Sequence, residues 1–189
     1  PDGTIFPETI ISFDIIANRL RELAFLNSGI RISIGDERNG KHEEFCYEGG
    51  IRSFVEHLNL NKKKLHEDLV AFSKTSDNVF VEVALQYNDS YNETVFCFAN
   101  SINTHDGGTH LSGFKTALTR TLNQFARKDN AIKSNDDLPT GDDYREGLTV
   151  VVNVKLPNPQ FESQTKVKLT NTDVEGIVQS VTNSELSEY

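Results

Sequence analysis

Leu148-Thr149-Val150-Val151-Val152-Asn153-Val154-Lys155-Leu156 is a near-continuous apolar run broken by Asn153. Such a run predicts a central strand covered on both faces. Downstream, Thr172 and Glu175 have the spacing of a capping box and open onto Val174, Ile177, Val178 and Val181, which predicts a C-terminal helix weakened by Gly176. Upstream, the acidic, turn-forming stretch Asn135 to Asp143 predicts a flexible loop. Before it, Leu111, Phe114, Leu118, Leu122 and Phe125 form one stripe over His110 to Lys128, the longest helix, introduced by a turn, Asp106-Gly107-Gly108-Thr109, with Thr109 as N-cap.

Farther upstream, Val79, Val81, Val83, Leu85 and Tyr87 alternate, Asn88-Asp89-Ser90 supplies a turn, and Val95 to Ala99 returns, the pattern of a hairpin. Lys62-Lys63-Lys64, with His66, Glu67 and Asp68 close by, reads as a solvated connection. Ile51, Phe54, Val55 and Leu58 keep helical period behind Gly49-Gly50. Ile30, Ile32 and Ile34 alternate, and the turn-rich Gly35 to Gly40 leads to Glu44-Phe45-Cys46-Tyr47, a second hairpin. The first helix is predicted over Asp14 to Asn27, with Asp14 as N-cap and Ile16, Leu20 and Leu23 on its apolar face. Strands alternating with helices point to a mixed α+β fold, a sheet carrying helices.

The chain has 189 residues, 37% apolar and 25% charged. That is ordinary globular usage, and at ~150 residues per domain one unit is the simplest division. Net charge is −9, which repels phosphate backbones at long range and excludes a protein that coats nucleic acid nonspecifically. Cys46 and Cys97 lie in strand-like segments and read as free thiols. No apolar run approaches the ~18 residues of a membrane span, and Pro1 to Ile11 lacks the blocks of a signal peptide, so a cytoplasmic protein is expected. The absence of Met predicts a piece of a longer chain.

No Walker loop, Cys/His metal spacing, nucleophile elbow or GxGxxG occurs. What remains is the segment Pro157 to Lys166. Its two prolines forbid helix, and in extended backbone Gln164 and Lys166 would project to one side, aiming an amide and an ammonium at a single anion. A Gln-x-Lys in a surface loop is, taken alone, ordinarily just solvated. The polar face of the long helix carries Thr116, Arg120, Asn123, Gln124 and Arg127, with Lys115 at its border and no Asp or Glu, a local basic face in an acidic chain.

Six segments in order carry a family resemblance: Arg19 to Asn27, Tyr47-Glu48-Gly49-Gly50, Glu82 to Asn88, Asp106 to His110 with the helix through Asn123, Arg145-Glu146-Gly147-Leu148, and Gln164-Thr165-Lys166. The chain resembles the transducer domain of the bacterial gyrase B family, type IIA DNA topoisomerases of the GHKL ATPase superfamily. The resemblance implies a single transducer domain over residues 1–189, with a mixed sheet, helices and a left-handed βαβ crossover of the ribosomal-protein-like type. It implies ATP and Mg2+ in the full-length protein, held by a preceding nucleotide-binding domain, with none bound by this segment. Its implied partners are that ATPase domain, the gyrase A protein, double-stranded DNA and a second copy of the full-length chain.

By matching position, Gln164 and Lys166 would contact the ATP γ-phosphate, with Lys166 as catalyst and sensor. Lys115, Arg120 and Arg127 would wall the cavity that admits the transported duplex. Lys115 matches a position where relatives often carry arginine, which keeps the charge and loses the planar fork. With its implied anchor outside the chain, Ser163 to Thr170 is expected to be mobile, and a loop held by contacts within the chain would count against a phosphate tether. The alternatives are the homologous segment of topoisomerase IV and a non-catalytic binding module of the same general fold.

Overall fold

The computed structural model describes residues 2–129, 132 and 138–189. The chain divides into two compact units, Pro1–Ser53 and Phe54–Tyr189. The expected acidic loop lies outside the described residues over 135–137.

In the first unit, α1 (Phe13–Leu26) precedes an antiparallel hairpin of β1 (Ile32–Asp36) and β2 (Lys41–Phe45), in which Ile32 faces Phe45 and Asp36 faces Lys41. The N-cap of α1 is Ser12 rather than Asp14. Asp14 sits in the first turn, where a carboxylate favours the positive end of the helix dipole, and accepts from Lys41 Nζ at 2.5 Å. Phe13, Ala17 and Ala24 bury against Phe45, with Leu20, Ile32, Ile34 and Tyr47 partly covered around them. α2 (Ile51–Leu58) follows, and the division between units falls within it.

The second unit is built on a five-stranded sheet of order β3-β4-β7-β5-β6: β3 (Val70–Ser76), β4 (Val79–Tyr87), β7 (Leu148–Lys155), β5 (Thr94–Ala99) and β6 (Ile102–Asn103). β7 is central and buried from Leu148 to Val154, as its apolar run predicts. Fully shielded Val150, Val151, Val152 and Val154 each contribute about 1.5–3 kcal/mol of apolar transfer.

One face of the sheet carries Val81, Val83, Leu85, Val150, Val152 and Val154 into a core shared with Phe114 and Leu118 of α3 (Thr109–Lys128) and Val174, Val178 and Val181 of α4 (Thr172–Leu186). On the other face Phe54 packs against Phe96 and Phe98 at centroid separations of 5.2 and 6.1 Å. No helix among the described residues is long and apolar enough to cross a membrane.

The hairpin expected between Val79–Tyr87 and Val95–Ala99 does not form. β4 pairs with β3 and β7, and β5 pairs with β6 and, in parallel, with β7. The tight turns stand elsewhere, at Asp77-Asn78 and Asn100-Ser101, whose residues all have positive φ, the backbone of the turns that match strand twist. Asn88 is instead a buried member of a network: its Nδ2 donates to Asn59 Oδ1 at 3.2 Å and Thr149 Oγ1 at 3.0 Å. Lys62 is likewise half-buried, donating to Thr94 Oγ1 at 3.0 Å. Only its two neighbours in the lysine run match the solvated reading.

Helix starts also differ from their sequence signatures. Gly108 rather than Thr109 caps α3, and Asn171 precedes α4, so that Thr172 is already helical; none of these caps uses a side-chain hydrogen bond. The caps are backbone ones because residues 107–109 and 171 are engaged by the segment that leaves β7.

Candidate functional site

β7 delivers the chain into Pro157–Thr170. Asn100 clamps its exit, with Leu156 N–H donating to Asn100 Oδ1 and Asn100 Nδ2 donating to the Leu156 carbonyl, both at 2.8 Å. The segment then folds back on itself. Glu162 N–H donates to Lys168 O at 3.1 Å, Thr170 N–H to Gln160 O at 2.9 Å, and Phe161 bridges Leu169 antiparallel. Residues 160–170 thus form a short two-legged arm.

At its tip Lys166 N–H donates to Ser163 O at 3.0 Å, closing a turn, and Lys166 itself has φ 58°. The extended backbone expected to send Gln164 and Lys166 to one side is therefore replaced by a turn. A non-glycine residue held in the left-handed region costs on the order of 1–3 kcal/mol and persists only where its surroundings impose it. Gln164, Thr165 and Lys166 are exposed. Lys166 Nζ lies 6.0 Å from the Phe161 ring centroid, within cation–π range, and among the described residues no carboxylate pairs with it. Lys168, two residues on, is paired with Glu162 at 3.1 Å. The arm thus presents one uncompensated ammonium at its tip.

The base of the arm is docked on the start of α3. Asp106 N–H donates to Val167 O at 3.0 Å, Thr109 N–H to Leu169 O at 3.1 Å, and Leu169 N–H to Gly107 O at 3.2 Å, with Gly108 and Leu169 in parallel bridge register. Leu169 is 1% exposed. The expected mobility of Ser163–Thr170 is therefore contradicted over 167–170, whose contacts within the chain count against a slack tether, and only the tip stands clear. Beside this joint an open cleft of about 460 Å3 is lined by Asp106, Thr109, Lys115, Lys168 and Glu175 among others.

The basic face of α3 is narrower than its sequence implies. Lys115 Nζ meets Glu93 at 3.1 Å, and Glu93 also faces Arg145 Nε at 3.4 Å, while Arg145 pairs with Asp142. Asn123 Oδ1 accepts from Tyr144 OH at 2.9 Å, and the Tyr144 carbonyl accepts from Tyr87 OH at 2.6 Å. Burial pushes the Tyr87 phenol up to about 12, so it stays a donor. Glu93 thus neutralises Lys115, the segment around the 3-10 turn Asp143–Arg145 covers Asn123, and Arg120 and Arg127 stay exposed.

His110, in the first turn of α3, is fully buried, with Nε2 3.1 Å from Thr104 Oγ1 and Nδ1 without a partner. Burial pushes its pKa down to about 4. A neutral imidazole enclosed in this way serves packing rather than proton transfer. Among the described residues no group of three His, Cys, Asp or Glu side chains could hold a metal ion.

Sequence reasoning missed Phe161 under the lysine and the Gly108–Leu169 contact. The double glycine was visible as a turn, but what it approaches lies about sixty residues downstream.

A family model, DNA gyrase B, matches residues 50–189. The chain is 54% identical over 190 residues to the DNA gyrase B protein of Clostridium acetobutylicum, covering all of this chain and 30% of that protein. It is 50% identical over 189 residues to the DNA gyrase B protein of Myxococcus xanthus, covering 23% of it. Among solved structures, the 43K ATPase domain of Thermus thermophilus gyrase B in complex with an aminocoumarin superposes with a TM-score of 0.84 at 41% identity, over all of this chain and 50% of that one. The chain spans under a third of the length of the two curated relatives. Because the family model takes in well over half of its residues, the chain belongs to the DNA gyrase B family.

Proposed function

We propose that this chain is the transducer segment of an ATP-dependent type IIA topoisomerase, coupling the state of a bound nucleotide to passage of a DNA duplex and, in the whole gyrase, to negative supercoiling. The family match begins at residue 50 and the second compact unit at Phe54. That near-coincidence supports placing the transducer role in the second unit. The names of the relatives favour gyrase over topoisomerase IV.

The observation that carries the reading is the unpaired Lys166 ammonium at the tip of an arm whose base is bonded to α3. An anion about 4 Å from such a cation gains about 4 kcal/mol at the effective dielectric of a protein surface. The terminal phosphate of ATP is the anion of the required charge, and Gln164 adds an amide donor one residue beyond the start of the turn. In phosphoryl transfer, catalysis is mostly positioning and charge stabilisation, which is what Lys166 can supply.

Magnesium, when bound with ATP, neutralises phosphate charge, and its ligands would come from the nucleotide and from other parts of the full-length protein. When the phosphate leaves, the tip loses its attraction while the base stays bound to α3, so the release is felt by the helix. Arg120 and Arg127 on that helix face a DNA duplex in this reading, with Lys115 held in reserve by Glu93. Their modest charge suits a passage that must also let its cargo go. The ATPase domain of the same polypeptide, the gyrase A protein and a second copy of the full-length chain complete the machine.

In the intact full-length protein, Lys166→Ala is expected to lower the maximal ATP hydrolysis rate by about 100-fold or more while leaving the folded state unchanged by circular dichroism. Undiminished turnover overturns the reading. Residues 1–189 alone are expected not to hydrolyse ATP, and sustained activity in a pure sample contradicts it as well.

A further inference from the structure

Three places in the second unit take no part in that phosphate contact: the buried polar network around Asn59 and Lys62, the cleft beside the start of α3, and the contact between Gly108 and the arm. The third carries an inference. Gly108 has φ 128°, and a Cβ built on it would stand 2.5 Å from Leu169 N and overlap the Leu169 carbonyl as well. These are backbone atoms held on both sides by hydrogen bonds to Gly107 and Thr109, so they have no side-chain freedom with which to yield. Gly107, by contrast, would meet only the movable end of Leu111, at 2.9 Å.

We propose that Gly108 is a positioning residue for Lys166: its lack of a side chain lets the arm's returning leg lie directly on the first turn of α3, so that the helix carries the lysine at a set height. The proposal rests on the reading that Lys166 meets the terminal phosphate. Two residues separate Leu169 from Lys166, and the two legs of the arm are cross-bonded on either side of Leu169, at Glu162–Lys168 and Gln160–Thr170. A displacement at Leu169 is therefore transmitted to the tip instead of being absorbed by a slack loop. Misplacing a reacting group by about 1 Å can cost on the order of 100-fold in rate. Nucleotide binding, held mostly elsewhere in the full-length protein, would be spared.

The test uses the intact full-length protein, with ATP as the probe, and compares Gly108→Ala, Lys166→Ala and the double variant. Gly108→Ala is expected to lower kcat at least about tenfold with KM within about threefold, and the double variant is expected to be no slower than Lys166→Ala. An unchanged kcat for Gly108→Ala, or losses that multiply in the double variant, overturns the positioning role while leaving the Lys166 reading intact. If Lys166→Ala itself turns over normally, the reading of the site falls and the role of Gly108 falls with it.

Should Gly108→Ala not fold, native-state hydrogen exchange on the unaltered full-length protein decides. The Thr109 and Leu169 amides are expected to exchange together, at the rate of the α3 core amides. Fast exchange of those two with α3 still protected overturns the proposal.

Discussion

His110 shows how one side chain ties stability to pH. Its imidazole is fully buried, only Nε2 is satisfied, and burial holds its pKa at about 4 against 6.5 in the unfolded chain. The unfolded state therefore binds more protons between those values, and stability rises with pH across that window. It is greatest above pH 6.5 and declines as pH falls towards 4. Linkage puts the loss between pH 7.5 and 5.5 at about 1.3 kcal/mol for this group alone. Gln places an amide where Nε2 stands and does not titrate. Urea unfolding of wild type and His110→Gln at the two pH values should show the extra loss only in wild type, and parallel pH dependence would refute it. Lys166 is the opposite case, an exposed residue whose ammonium the sequence shows but whose left-handed backbone it does not. Nothing in Gln164-Thr165-Lys166 signals a turn, because the hydrogen bond to Ser163 forms only where the two legs of the arm are zipped together.

Between α3 and α4 the backbones come close, and a glycine permits it. A Cβ on Gly113 would overlap the Glu175 carbonyl and lie 3.3 Å from Gln179 N, whereas one on Gly176 would meet nothing within 4 Å. Ala at these two helical glycines should therefore act in opposite directions. Gly113→Ala must push the helices apart and is expected to cost about 1–3 kcal/mol. Gly176→Ala relieves only backbone entropy and is expected to stabilise by about 0.5–1 kcal/mol. Thermal melts of the two variants check the signs, and equal shifts would show that the close approach is not as described. The apolar stripe of α3 was legible because a 3.6-residue period forces burial on one side whatever the partner, whereas in α1 Ile16 of the expected stripe is exposed and Phe13, Ala17 and Ala24 are buried instead. β3 was not, since Val70, Phe72 and Lys74 give a weak alternation, and its edge position leaves much of it exposed.

At the scale of the whole molecule, the two units differ in what they bury. Residues 54–189 enclose an extensive core of their own, while Ile5, Phe6, Ile10, Ile11 and Ile15 of the first unit are all more than half exposed. A protein spanning 54–189 is expected to unfold cooperatively with near-native circular dichroism, and 1–53 alone to lack a melting transition, since so short a piece buries too little apolar surface to offset chain entropy. A broad, non-cooperative melt of 54–189 would contradict this. The residue order by itself determined that β7 is a covered strand, that the main helices lie about where they do, which family the chain belongs to, and that an ammonium ends the Gln164-Thr165-Lys166 run. These follow from local periodicity, burial preference and motif spacing, which each segment carries with it. Tertiary structure alone decided that β7 enters between β4 and β5, that Glu93 takes up Lys115, and that the arm rests on Gly108. Those are contacts between segments far apart in the chain, and their energy depends on which surfaces meet once loop closure has been offset, a sum over the whole fold that no single window of residues contains.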